Sequence, residues 1–561
     1  MLLAHTMNKN KHLLLWSSLG VLGLLIYAAV QENFLKDWRQ IQASARTEAG
    51  TIPIHLRQTV VPGLNTTDRC VSCHVGMAAG EQGVMGDGVV MAHKPVVHDP
   101  AEFGCTVCHG GQGRATEKDD AHGNVHFWPE PMIPARYAYA GCGSCHTHIR
   151  VPDQAALRQG QSLVERYDCL ACHRIDGRGG TTRLFAAAGM EGPDLSHVGA
   201  TGYDSNWYEA HLKQHQQSKE GPWKTSFGPI DEEGRSAVAV YLASRVGAPE
   251  LVKAKALFHS LGCRGCHKIG GVGGDDGPDL TRVGEKDPGR LDFGHVPGEP
   301  TVANWLAEHF RAPAKVVPGS QMPDLGLTQE QIDLLTFYML SLRRSDFPEA
   351  YWPKDRIRAE RFGEREFATD GATLYGTFCA ACHGPEGEGM RYPGTPPFPA
   401  ILNPDFLAVA SDEFLSETIR RGRPGRRMPA WGDKEGGLRP EEIQTLVAWM
   451  RKAGGGPAAA PTSQPARPRW VKADPAAGER LYTSYCVGCH GTRGEGLEGP
   501  ALANPVFLET ASDTYLVETV ARGRRGTSME GFGQASPVHP ALTPGEIESI
   551  VAFIRTWEKT P

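Results

Sequence analysis

Hydrophobic residues run unbroken along one stretch of the chain and recur at helical spacing along much of the rest. Leu13 to Val30, LLLWSSLGVLGLLIYAAV, is eighteen residues without a charge, near the length one helix needs to cross a bilayer. Lys9 and Lys11 precede it, which predicts an N-terminus in the cytoplasm and the remainder of the chain outside. A cleaved leader has an apolar core of roughly 7–15 residues and a small-residue exit site. This run is longer, and YAAVQ is a poor site. The expectation is a retained single-pass anchor over 12–30, after a cytoplasmic 1–11 and before a spacer 31–67.

Further on, Ile332, Leu335, Met339 and Leu342 are spaced three, four and three, an amphipathic helix opened by a Thr328/Gln331 capping box. Ile547, Ile550, Ile554 and Trp557 follow the same rule; Thr543 caps, Pro544 fits the first turn and Glu546 completes the box. Each such helix closes a repeat. NWLAEHFRAP and PGSQMPDLG precede the first of them, while NWYEAHLKQH and GPWKTSFG hold the matching places 98 residues earlier, before a closing segment with Val238, Tyr241 and Leu242. NPDFLAVASDEFLSETIRRGRPGRRMPAWG from Asn403 faces NPVFLETASDTYLVETVARGRRGTSMEGFG from Asn504, an offset of 101. Repetition at about a hundred residues reads as modules: 153–247, 248–347, 367–453 and 471–561. A charge-rich join, 348–366, and an extended, semi-flexible Gly/Pro/Ala linker, 454–470, mark two of the edges.

The net charge of −6 is too small to favour nucleic acid as a partner. The cysteines change the picture far more. All fourteen fall in C-x-x-C-H motifs: Cys70, Cys73, His74; Cys105, Cys108, His109; Cys142, Cys145, His146; Cys169, Cys172, His173; Cys263, Cys266, His267; Cys379, Cys382, His383; and Cys486, Cys489, His490. Zinc knuckles, redox pairs or disulfides would each explain one C-x-x-C, but none requires a histidine next, seven times. The spacing predicts seven covalently attached c-type haems, two thioethers each, with the adjacent histidine on one side of the iron.

The four repeats resemble class I cytochrome c domains, with an N-terminal haem-binding helix, a closing helix and a loop methionine as sixth ligand. The resemblance runs from about Gln154 to the C-terminus and implies Met322, Met428 and Met529 as sixth ligands of haems 5, 6 and 7. Lys224 takes the methionine's place in the module of haem 4. It binds iron itself, or His215 or His211 reaches in, or the position is open; Met190 and His197 are further outsiders. Arg423 and Arg524 hold repeated positions and are candidates to pair with haem propionates.

The first three motifs lie only 35 to 37 residues apart, too little chain to wrap each haem separately. Residues 68–152, with FGCTVCHGGQG and AHG, resemble the trihaem segments of membrane-bound multihaem cytochromes, in which both axial ligands are histidine. Five histidines compete for three distal places: His93, His98 and His122 are preferred, then His126 and His148. The expected fold is mainly α: one transmembrane helix, a haem-packed trihaem module with little regular structure, and four cytochrome c-like helical modules.

No nucleophile triad, phosphate loop or dinucleotide site interrupts this pattern. Methionine–histidine ligation raises reduction potential, so low-potential bis-histidine haems would feed the C-terminal ones. The expectation is an electron-transfer subunit in a bacterial inner membrane with its haem domains in the periplasm. Integral-membrane quinol-oxidising subunits of cytochrome b and iron–sulfur type would be the donors, and a soluble cytochrome or terminal oxidase the acceptor. The alternative is a reductase acting on peroxide, nitrite or nitric oxide at an open haem 4.

Overall fold

The computed structural model describes residues 2–78, 83–84, 88–93, 96–126, 128–180, 192–217, 229–455 and 469–558. It is mainly helical, and its sheets among the described residues are two-stranded hairpins. The first helix spans Leu2–Phe34. It is the one described helix long and apolar enough to cross a membrane, with mean hydropathy 2.1 over its apolar window, and it leaves Leu13, Trp16, Leu24 and Tyr27 exposed.

A short helix, Asp37–Ser44, turns off its foot and buries Trp38 and Gln42. Gln42 Nε2 donates to the carbonyl of Ser72 at 2.8 Å, inside the first C-x-x-C-H motif. Lys36 pairs with Glu32 and with Glu117, both at 2.6 Å. The first motif is thereby tied to the foot of the apolar helix. The rest of the trihaem segment is short turns, as its dense cysteine spacing predicts: Pro100–Phe103, Thr106–His109 and a distorted 3₁₀ stretch over Ala135–Ser144.

The four repeats fold as helix pairs. Gln154–Arg166 packs on Glu232–Ala243, Pro249–Ser260 on Gln329–Ser341, Gly371–Phe378 on Pro440–Ala453, and Pro475–Tyr485 on Pro544–Arg555. Ile332, Leu335 and Met339 are buried on the second pair, and Ile547, Ile550 and Ile554 on the fourth. Both capping boxes form, Thr328 with Gln331 and Thr543 with Glu546. The helices of a pair cross so closely that a Cβ on Gly478 would lie 1.9 Å from the Ser549 carbonyl oxygen, and one on Gly160 would lie 2.1 Å from that of Ala237.

The join 348–366 is more ordered than a charge-rich linker suggests. The charge-rich stretch before the sixth motif folds into a helix, Lys354–Phe362, and ends with Glu366 inserted between modules. There Glu366 meets Lys255 at 2.6 Å and also Arg264. Charge paired in this way is buried rather than solvated.

The last two modules, whose Gly/Pro/Ala linker lies outside the described residues over 456–468, share one hydrophobic cluster. Asn403 Nδ2 donates to the Arg525 carbonyl at 2.9 Å, and Asn504 Nδ2 to the Pro424 carbonyl at 3.0 Å. Arg423 lies over Phe414 and Phe507, and Arg524 over Tyr515 and Phe406. Each relation becomes its twin on adding or subtracting 101. The duplicated modules therefore meet through equivalent faces, as the two halves of a two-fold dimer do.

Candidate haem sites

Each C-x-x-C-H motif sits at a helix end or 3₁₀ turn that returns the histidine amide to the first cysteine. His383 N, for example, donates to Cys379 O at 2.9 Å, and His490 N to Cys486 O at 3.0 Å. That turn sets both thiols and the imidazole on one side of the segment. In the four repeats the imidazole is then fixed by a residue that sequence reading did not single out. The Nδ1 of His173 meets Pro193 O, that of His267 Pro278 O, that of His383 Pro399 O and that of His490 Pro500 O, all at 2.8–2.9 Å.

A carbonyl oxygen only accepts, so Nδ1 carries the proton and donates it. The lone pair is left on Nε2, the tautomer a metal needs. Burial pushes His267, His383 and His490 below their usual titration range, which keeps them neutral. The sequence signal is a Gly-Pro step: a Cβ on Gly192, Gly277 or Gly499 would lie 2.4–2.8 Å from a carbon of the histidine ring. These residues fit a covalently held haem, with two thiols and a correctly tautomerised imidazole in each of the four repeats.

The trihaem segment brings histidines together in pairs. Ring centroids are 6.5 Å apart for His74 and His122, 6.1 Å for His109 and His93, and 6.2 Å for His146 and His98. With metal–nitrogen bonds of roughly 2 Å and a ring radius of about 1 Å, two imidazoles on opposite sides of one iron have centroids about 6 Å apart. His148 turns its Nδ1 to Thr147 Oγ1 at 2.8 Å, and His126 is exposed.

Met322, Met428 and Met529 are half-buried on loops. Met322 packs against its module's core. The other two loops close alike, Arg423 N donating to Met428 O at 2.8 Å and Arg524 N to Met529 O at 2.7 Å. The guanidinium groups of those arginines reach Thr418 Oγ1 at 2.7 Å and Thr519 Oγ1 at 2.8 Å, within the two-fold interface. Burial pushes Arg423 down to about 10.

In the module of haem 4, Lys224, Met190 and the side chain of His215 lie outside the described residues. His211 is stacked on Trp207 at 4.8 Å, as His309 is on Trp305 at 5.0 Å in the next module. His197 turns its Nδ1 toward Val246 O at 3.3 Å.

Residues 251–343 match the family model of cytochrome c, and residues 366–450 and 473–554 each match that of cytochrome c oxidase, cbb3-type, subunit III. The chain is similar to the cbb3-type cytochrome c oxidase subunit FixP of Bradyrhizobium sp. (strain ORS 278), 32% identical over 177 residues, which is 30% of this chain and 55% of that one. It is also similar to subunit CcoP of Rhodobacter capsulatus, 27% identical over 198 residues, 33% of this chain and 61% of the relative. The chain thus spans little more than half the length of these relatives. A chain of a reducing HAO-like protein complex from Kuenenia stuttgartiensis superposes at a TM-score of 0.22 with 19% identity, over 34% of this chain and 96% of that one, too weak a likeness to inform the fold. With haem-attachment motifs in every module, cytochrome c and cbb3 subunit III matches across the last three, and one apolar helix of membrane-spanning length in front, the chain is a membrane-anchored multihaem c-type cytochrome.

Proposed function

We propose that this cytochrome is a heptahaem electron conduit on the periplasmic face of a bacterial inner membrane, its N-terminus in the cytoplasm. Haems 1, 2 and 3 are held by His74 with His122, His109 with His93, and His146 with His98; haems 5, 6 and 7 by His267 with Met322, His383 with Met428, and His490 with Met529. The observation that carries the reading is the set of three imidazole pairs at 6.1–6.5 Å, a spacing that suits one iron each. Each haem supplies a one-electron iron couple when bound. The protein sets its potential through the axial ligand, imidazole holding it low and thioether raising it.

The donor is a quinol-oxidising assembly of cytochrome b and iron–sulfur type. The tie between Gln42 and Ser72 supports this, because it holds the first motif beside the apolar helix, where electrons leave the membrane. The single membrane-length helix among the described residues offers no fold for a quinone site, so that chemistry is assigned to another subunit. The acceptor is a soluble cytochrome or a terminal oxidase. The likeness of the last two modules to cbb3 oxidase subunits supports that end.

A redox titration resolved by haem tests the reading: three low potentials and at least three high ones are expected, and uniformly low potentials would defeat the direction. The second reading, reduction of a small oxidant at an open haem 4, is favoured by the loss of methionine at Lys224. Carbon monoxide and cyanide decide it, since a fully six-coordinate chain reacts little with either.

A further inference from the structure

The modules are numbered by sequence, but they do not touch in that order. The second and third motifs pack backbone to backbone: a Cβ on Gly141 would lie 1.8 Å from the carbonyl oxygen of Cys108. The third motif then leans on the fifth module, not the fourth. A Cβ on Gly143, between Cys142 and Cys145, would lie 2.4 Å from the carbonyl oxygen of Ser341, at the end of the fifth module's closing helix. Tyr137 Oη donates to Asp333 Oδ1 on that same helix at 3.3 Å. Ile133, Tyr137, Ala140 and Ile149 belong to the hydrophobic cluster of the fifth module, and Cys142 and Cys263 both pack against it.

The fifth motif in turn abuts the sixth. A Cβ on Gly262 would lie 2.9 Å from Ala381 N, and the thiols of Cys266 and Cys382 are hydrogen-bond neighbours. Among the described residues, the fourth motif stands apart from this line. Its module touches the fifth at Ala256, which lies in the fourth module's hydrophobic cluster, and at Gln154, whose Oε1 accepts from Ser260 Oγ at 2.6 Å, just before Cys263. From there the helix Gln154–Arg166 runs thirteen residues before Cys169 is reached, roughly 20 Å at 1.5 Å per residue. The close approaches of Gly179 and Gly192 are to Leu170 and His173, inside the same module.

We infer that electrons cross this molecule from haem 3 directly to haem 5 and onward to haems 6 and 7, and that haem 4 is a side branch with its own external redox partner. The inference rests on the conduit reading and adds to it the order of the haems. Each hop moves one electron, oxidising the donor iron from ferrous to ferric and reducing the acceptor iron from ferric to ferrous, with no other bond made or broken.

The test uses the full-length haem-loaded protein held by its apolar helix in a lipid film on an electrode, with oxidised soluble cytochrome c as acceptor in solution. Gly143→Val wedges the seam between haems 3 and 5 and is expected to abolish most of the current. Gly160→Val wedges the helix pair of the fourth module and is expected to leave the current intact, even if haem 4 is lost, as a haem count will show. Equal loss in both variants overturns the branch.

Electron paramagnetic resonance of the unaltered ferric protein gives an independent reading. The spin of haem 5 should relax rapidly through its neighbours, and that of haem 4 as an isolated low-spin centre. Strong coupling of haem 4 to both haems 3 and 5 overturns the inference. If the unaltered film passes no current, the conduit reading itself fails, and the resonance measurement still decides the order.

Discussion

A haem histidine has two nitrogens and only one is for iron, so the other must be given a proton and something to hold it. In the four repeats a proline carbonyl does this, and its sequence trace is only a Gly-Pro step in three of them and Phe398-Pro399 in the other, because the chemistry is the backbone's. The motif cysteines and histidines were legible at once, since covalent attachment demands residue types at fixed spacing. The distal histidines were legible only as a field of five, because which of them meets which iron is decided by folding over tens of residues. Replacing His122, His93 or His98 by alanine should open haem 1, 2 or 3 respectively, so that the reduced protein gains carbon monoxide binding; His126→Ala and His148→Ala should gain none. A spectrum of haem 4 unchanged by Lys224→Ala would remove lysine from its coordination shell, whereas a shift to a high-spin form is the outcome expected if the amine binds iron.

Among the elements, the amphipathic helices and their capping boxes could be read from spacings of three and four, because those forces act within a turn or two. Glu366 could not: it sits in a run that looks solvated, and its partners Lys255 and Arg264 are about a hundred residues away. Beside it His259 is buried with neither ring nitrogen hydrogen-bonded, packed on Phe258 and Phe367. Burial, helped by the charge of Arg264, pushes its pKa from 6.5 to about 3. Burial opposes ionisation of Glu366, but Lys255 and Arg264 overcome it and hold the carboxyl well below the usual range. Both groups bind protons more readily when unfolded, so stability is full above about pH 6.5 and is lost as pH falls toward about 3. The denaturation midpoint of the fifth module should drop steadily over that window, and His259→Phe should flatten its upper part. The helix crossing gives a steric counterpart. Gly478→Val places side-chain atoms against the Ser549 carbonyl and should destabilise the seventh module by about 1–3 kcal/mol, seen as a lower thermal midpoint in calorimetry.

At the scale of the whole molecule, the offset of 101 was plain in the sequence, but not that the duplicated faces would meet each other. Phe406, Phe414, Phe507 and Tyr515 explain it, since each arginine lies over one ring of its own copy and one of the other, Arg423 over Phe414 and Phe507, Arg524 over Tyr515 and Phe406. The pair should therefore need no tether: with a protease site placed in residues 456–468, the cut halves should still co-elute on gel filtration, and Arg423→Glu combined with Arg524→Glu should separate them. Module five rests on module six at Ala381 and Cys382, and the repeat gives that face a counterpart on module seven, at Gly488 and Cys489. There Cys489 is exposed where Cys382 is half-buried, and a Cβ on Gly488 would meet nothing within 4 Å. Duplication has left the molecule with one socket filled from within and its replica facing outward, the seat that the proposed conduit would offer to an acceptor.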